Sequence, residues 1–90
     1  MIYDTIYGTM RIGGEYMAGV TKIVEKMKAK PRGIRYEEGA KVLEYYGYKH
    51  IRTKGSHHQF RNQDGDLTTI KYSNPLKISY VTDILARIGQ

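Results

Sequence analysis

The sequence predicts an α+β fold in which a three-stranded antiparallel sheet packs with one face against helices. Apolar residues recur at helical spacing in three stretches, and a run of alternating residues, broken by two tight turns, lies between the second and the third of them. Strands joined by such tight turns are antiparallel neighbours. A sheet with one apolar face needs cover on that side only, so we expect its other face to be open to solvent.

The composition indicates a small basic protein. The 90 residues, enough for one domain, include 15 lysines and arginines against 9 acidic residues, a net charge of +6. This excess indicates a polyanionic partner such as nucleic acid, although a requirement for solubility would also account for it. The absence of cysteine excludes disulfides and thiolate chemistry. We expect a cytoplasmic protein, because no apolar run reaches the ~20 residues of a membrane helix and the start does not resemble a signal peptide.

The first 18 residues differ from the rest of the chain. Their apolar residues keep neither a helical nor a strand period, and we interpret residues 1–18 as a loosely ordered extension of a single domain that spans residues 19–90. A first helix is predicted from about Gly19 to a stop at Pro31. Its apolar face consists of Val20, Ile23, Val24 and Met27.

Two further helices are predicted on either side of the strands. The second helix, Tyr36–Tyr46, has acidic residues in its first turn, where the helix dipole favours them, and Gly47 as a stop. Arg35, which precedes it, is not a capping residue type. The last helix is predicted at about Tyr80–Ile88, with Ser79 as its N-cap.

Three strands are predicted between these two helices, at Tyr48–Lys54, His57–Asn62 and Leu67–Tyr72. Gly55-Ser56 forms a tight turn between the first two strands, and the polar run around Asp64-Gly65 forms the turn between the second and the third. The predicted order is therefore helix, helix, three antiparallel strands and helix.

The alternation of side chains along the second strand separates its two faces. Phe60 is large and apolar, so we expect it to face the helices together with His58, as a packing histidine. His57, Gln59 and Arg61 then point to the open face.

The first strand is interpreted in the same way. Ile51 is its clearest apolar residue and is expected to face the helices, so that His50, Arg52 and Lys54 point to the open face. No acidic residue occurs within residues 49–62. The predicted open face therefore combines a histidine with cations and no opposing charge.

This combination suits the cleavage of RNA. Histidine moves protons near neutral pH, which makes His57 the catalytic candidate. Arg52, Lys54 and Arg61 are candidates to bind RNA and to stabilise charge that builds on the phosphate. Gln59 and the hydroxyl or backbone N–H of Ser56 are further candidates for RNA binding. With the 2′-hydroxyl of the RNA as nucleophile, the reaction needs no metal ion, cofactor or nucleophilic side chain.

Simpler interpretations of the same residues exist. A histidine on a surface hairpin is often inert. A metal site at His57 and His58 is disfavoured, because adjacent residues of a strand point to opposite faces. Asp64 and Asp66 have the chemistry to coordinate a cation, but a polar turn accounts for them equally well.

Two segments resemble the HicA family of toxin–antitoxin mRNA interferases. The first, Lys41–Tyr48, is a helix that ends in Gly-Tyr. The second, Arg52–Asn62, is a basic strand followed by Gly-Ser-His-His-x-Phe, a string that is fairly specific in this context. The resemblance covers about Ile34–Gly89. It implies a fold like the double-stranded-RNA-binding domain, α-β-β-β-α, to which the first helix is an addition.

The resemblance also implies an activity and a partner. It implies endonucleolytic cleavage of mRNA, with the histidine directly after Gly-Ser, here His57, as the catalytic residue. It implies a HicB-like antitoxin protein that covers the active face. The third strand of the family often leads into His-Pro, whereas Tyr72-Ser73-Asn74-Pro75 stands here, which leaves a single catalytic candidate.

Two other classes of function stay open on the sequence. A non-catalytic RNA-binding module would need the cations of the open face but no histidine beside a Gly-Ser turn. An interaction protein would use the hairpin to dock on another protein.

Overall fold

The computed structural model describes the backbone of residues 11–90 and the side chains of residues 17–90. Its helices are α1 (Arg11–Ala29), α2 (Tyr36–Tyr45) and α3 (Ile78–Arg87), and its strands are β1 (Lys49–Lys54), β2 (His57–Arg61) and β3 (Leu67–Lys71). The strands form one antiparallel sheet in the order β1-β2-β3. The predicted α-β-β-β-α fold with an additional first helix is confirmed. None of the described helices is long and apolar enough to cross a membrane.

Helix α1 begins at Arg11, earlier than the predicted start near Gly19. The apolar positions that predicted it, Val20, Val24 and Met27, are buried against the rest of the protein. The apolar period of the sequence begins only at Val20, so it gives no signal for the helical turns before it. The prediction of loose order for residues 1–10 concerns residues outside the described part of the chain.

The core lies between the helices and the inner face of the sheet. Helix α1 packs against both α2 and α3. Gly39 of α2 is buried where the helices meet, and a Cβ atom at this position would lie 2.9 Å from Cδ1 of Leu76 and 3.1 Å from Cδ1 of Ile84. The buried apolar side chains are Val20, Val24, Met27, Ile34, Val42, Leu43, Tyr48, Phe60, Ile70, Leu76, Val81 and Ile84.

The first turn of α2 is capped by residues other than its N-cap side chain. Asn74, in the segment after β3, accepts a hydrogen bond of 2.8 Å from the backbone N–H of Tyr36. Glu38 accepts one of 2.9 Å from the backbone N–H of Arg35. These two contacts satisfy N–H groups that a helix N-terminus leaves free, so the side chain of Arg35 is not needed as a cap.

Helix α3 lacks a side-chain cap at its start and forms ion pairs near its end. Its N-cap is Lys77, whose side chain makes no capping bond, and the prediction of Ser79 as the N-cap is wrong because the chain is already helical at Ile78, one residue before this serine. At the other end, Arg87 binds Asp66 and Asp83, each at 2.7 Å. Asp66 directly precedes β3, so the first of these contacts holds α3 to the sheet.

Candidate nucleic-acid interface

A β-bulge at Ile51 decides which side chains of β1 reach each face of the sheet. His50 pairs with Phe60 and Arg52 pairs with Gln59, so Ile51 is an extra residue between two paired positions. The prediction that Ile51 faces the helices is wrong, because this side chain is 44% exposed.

His50 lies on the helix side of the sheet, and the prediction that it points to the open face is also wrong. Its ring stacks on Phe60 and on His58, with centroid distances of 5.2 and 5.0 Å. The bulge reverses the alternation after His50, which places Arg52 and Lys54 in register with residues of β2 that face away from the helices.

Three rows of side chains cross the open face, because residues paired across antiparallel strands share a face. The first row is Lys54, His57 and Lys71; the second is Arg52, Gln59 and Thr69; the third is Lys49, Arg61 and Leu67. The rows contain all the candidate site residues that the sequence predicts on the strands. They also contain two cations that the prediction missed, Lys49 and Lys71.

The first row surrounds a histidine with two lysines. His57 pairs directly with Lys54 on one side and with Lys71 on the other, and all three side chains are exposed. Directly paired residues have Cβ atoms about 4.5–5.5 Å apart, so both ammonium groups can reach an anion bound at the histidine. None of the three side chains forms an ion pair with an acidic residue that the structure describes. The first row is therefore an electropositive site with a histidine at its centre.

The turn beside this row is held in a fixed place. Gly55 has a φ of 60°, the left-handed conformation that a two-residue hairpin turn needs at its first position and that glycine adopts without strain. The carbonyl of Ser56 accepts a hydrogen bond of 2.6 Å from the backbone N–H of Tyr72. The hydroxyl of Ser56 bonds none of the described residues, so it is free to bind a ligand next to His57.

His58 points the opposite way and is packed against aromatic rings, as predicted. Its Nδ1 lies 2.9 Å from the hydroxyl oxygen of Tyr36, and its ring is 5.7 Å from that of Tyr72. Burial, together with the neighbouring His50, lowers the pKa of His58. His57 and His58 therefore do not form a paired site. No group of three His, Asp or Glu side chains within residues 17–90 is placed to hold a metal ion together.

Asp66 and Glu38 are bound by other side chains of the protein. The hydroxyl of Tyr48 and the guanidinium of Arg87 both donate to the carboxylate of Asp66. These bonds, first from Arg87 and then from Tyr48, lower the pKa of Asp66. Glu38 forms an ion pair of 3.1 Å with Lys26. None of the cations of the three rows forms an ion pair with an acidic residue that the structure describes.

The two missed cations differ in how well the sequence signals them. Ile70 is apolar and strand-like, so alternation along β3 would have assigned Lys71 to the open face. Lys49 stands three positions before Arg52, an odd spacing that predicts opposite faces for the two. Only the bulge between them brings Lys49 and Arg52 to the same face.

Comparison with known protein families finds a match that covers most of these helices and strands. Residues 36–90 match the model of a family described as the HicA toxin of bacterial toxin–antitoxin systems. The matched part begins with α2 and includes the whole sheet and α3, and thus all three rows of the open face. No curated protein and no solved structure matches the chain.

Proposed function

Because the chain belongs to the HicA toxin family of bacterial toxin–antitoxin systems, we propose that it is an endoribonuclease that cleaves mRNA on the open face of its sheet. His57 acts as the general acid/base, and no metal ion or cofactor takes part. The observation that carries this proposal is the first row, in which a histidine stands between two unpaired lysines.

In the proposed reaction, the 2′-hydroxyl of the RNA attacks the adjacent phosphorus. His57 accepts the hydroxyl proton as the bond from the 2′-oxygen to phosphorus forms. The bond from phosphorus to the 5′-oxygen breaks, that oxygen takes a proton from water, and His57 returns its proton to the hydroxide that forms. Lys54 and Lys71 flank the histidine and stabilise the charge that develops on the non-bridging oxygens. The products are a 2′,3′-cyclic phosphate and a 5′-hydroxyl.

The remaining residues of the face bind the substrate. Arg52 and Arg61 contact phosphates on the same strand of RNA, and Gln59 lies between them in the second row with an amide that can bind sugar or base. Ser56 contributes its free hydroxyl or its backbone N–H beside the scissile phosphate. The positive charge of all these residues attracts mRNA before any specific contact forms.

An antitoxin is the second partner in this proposal. A HicB-like protein with acidic groups covers the open face, excludes RNA and keeps the toxin inactive in the cytoplasm. The same unpaired cations that hold RNA give this surface its electrostatic complement. The toxin then becomes active when the antitoxin is removed.

A non-catalytic RNA-binding module is the second candidate, and one observation favours it. The ring of His57 has no hydrogen-bond partner among the described residues, whereas catalytic histidines are commonly oriented by a third group. A protein that only binds RNA would use the same cations and would not need this orientation.

The two candidates are separated by incubating the purified protein with a long mRNA in EDTA, beside His57→Ala. We expect the wild type to produce fragments with 2′,3′-cyclic phosphate ends, which mass spectrometry identifies. The variant should bind the RNA but cleave it about 10²–10⁴-fold more slowly. Intact RNA with both proteins, at concentrations where both bind it, would leave the binding module as the function. Growth arrest after induced expression of the wild type but not of His57→Ala would support the toxin.

A further inference from the structure

A cavity of about 350 Å³ opens beside the third row of the open face, between the C-terminal end of α2 and the bulged part of β1. One wall carries Glu44, from α2. Arg61, at the end of β2, and the next two residues, Asn62 and Gln63, also line the cavity. Lys49 and Ile51 line it on the side of β1. Its volume is near the lower limit of ligand sites, which begin at about 300 Å³.

The charged side chains that line this cavity form no ion pairs with one another. The carboxylate of Glu44 forms no ion pair with any cation that the structure describes, although Lys49 and Arg61 line the same space. A phosphate would be attracted by these two cations but repelled by the carboxylate. A neutral, polar ligand with both donors and acceptors would satisfy the carboxylate and the cations.

The amide side chains of the cavity also have free hydrogen-bonding capacity. The Oδ1 atom of Asn62 accepts bonds from the backbone N–H groups of Asp64 and Asp66, at 3.0 and 2.8 Å, which fixes this side chain. Its Nδ2 group bonds none of the described residues, and neither does the side chain of Gln63. Ile51 is 44% exposed and offers apolar surface to the flat side of a ring.

The cavity lies on the path that an RNA strand would take across the face. His57 and Arg61 are four residues apart on β2, a distance of about 13 Å, which an extended single strand covers in about two nucleotides. A strand whose phosphate lies at the first row and which follows β2 therefore brings another base to the third row.

We infer that this cavity is a base-binding subsite that accepts a guanine about two nucleotides from the cleaved bond; the inference rests on the proposed function. Guanine presents two adjacent donors, N1–H and the 2-amino group, which fit the carboxylate of Glu44. Its O6 and N7 atoms are acceptors for Arg61. Adenine, cytosine and uracil lack the adjacent pair of donors, so Glu44 sets the preference.

The first test maps where RNA is cut. The wild type, Glu44→Gln and the control Glu25→Gln, which changes an exposed carboxylate on α1, cleave a random-sequence RNA pool, and the ends are sequenced. We expect guanine to be enriched at one fixed position within about three nucleotides of the cut. Glu44→Gln should reduce this enrichment by about fivefold or more, and Glu25→Gln should not. The same cutting pattern in the wild type and Glu44→Gln would overturn the inference while cleavage itself upholds the proposed function.

The second test does not depend on cleavage. His57→Ala is titrated with the oligonucleotides UUGUU, UUAUU, UUCUU and UUUUU, and binding is followed by fluorescence anisotropy. We expect UUGUU to bind about fivefold or more tightly than the others, and the Glu44→Gln change to abolish this difference. Equal affinities would overturn the subsite even if the wild type cleaves RNA. A guanine preference in a protein that does not cleave RNA would support the base-binding subsite and contradict the proposed nuclease activity.

Discussion

Lys71 lies directly opposite His57 in the pairing of β2 with β3, on the face of the sheet that the helices leave open. Its ammonium group is exposed and is not paired with a described acid. No other residue of β3 brings a positive charge so close to the histidine, since the next residue of β3 on this face is Thr69.

The loss of this lysine should impair cleavage more than it impairs folding. We expect Lys71→Ala to reduce the rate of RNA cleavage about tenfold or more, because one of the two charges beside the reacting phosphate is lost. The slope of the logarithm of the RNA-binding constant against the logarithm of the salt concentration should also become less negative by about 0.7. This is the value for one contact to a single-stranded phosphate. Lys22→Ala removes the same charge from α1 and serves as the control. Equal cleavage by the two variants would contradict the role of Lys71.

The antitoxin should depend on the same face as RNA. Changing Arg52, Lys54 and Arg61 to Glu places one carboxylate in each of the three rows, and we expect it to abolish binding of the antitoxin in a pull-down or by calorimetry. The corresponding change of Lys22, Lys28 and Lys30 on α1 or just after it gives an equal change in net charge at another surface. Undiminished binding by the open-face variant would show that the antitoxin docks elsewhere.

The packing of His58 predicts a loss of stability in mild acid. Its folded-state pKa is lowered, first by burial and then by His50, so the unfolded chain binds more protons as the pH falls below about 6.5. The stabilising contribution is present above this pH and is lost as the pH falls towards the folded-state pKa. Urea unfolding at pH 7 and pH 5.5 measures it. His58→Gln should show a smaller loss between the two pH values than the wild type, and an equal loss would contradict the prediction.

The bulge predicts that Ile51 and Ile70 contribute differently to the free energy of unfolding. Ile51→Ala should lower the free energy of unfolding by less than about 1 kcal/mol, because an exposed side chain loses little packing. Ile70 is 1% exposed, and Ile70→Ala should cost about 2–5 kcal/mol. Denaturant unfolding of the two variants provides the comparison. A larger loss for Ile51→Ala would place this residue in the core, as the sequence pattern alone suggests.

The faces of β2 are predicted correctly and those of Ile51 and His50 on β1 are not, and both outcomes have the same physical origin. The position of Phe60 fixed the faces of β2 because a large apolar residue is rarely left in water and side chains alternate strictly within a regular strand. The same rule failed for β1, because a bulge depends on how two strands pair and has no mark in the sequence of one of them. Strict alternation therefore predicts Ile51 in the core and His50 on the open face, whereas the bulge gives the reverse.

Contacts between residues that are far apart in the chain also cannot be predicted from local sequence patterns. The amide of Asn74 caps a helix that begins 38 residues earlier in the chain, and local patterns of capping residues describe only neighbours along the chain. The cavity at the third row is likewise made by a helix end and two strands. Its residues are separated in the sequence and acquire a common role only when the fold brings them together.

The bulge at Ile51 also affects the solubility of the protein. In the order β1-β2-β3 the outer edge of β1 has no strand partner among the described residues, and a flat edge of this kind can recruit the edge of another molecule. An irregular strand with lysines at both ends, Lys49 and Lys54, is a poor template for such pairing. The feature that brings the cations together on the open face therefore also protects the free toxin against aggregation.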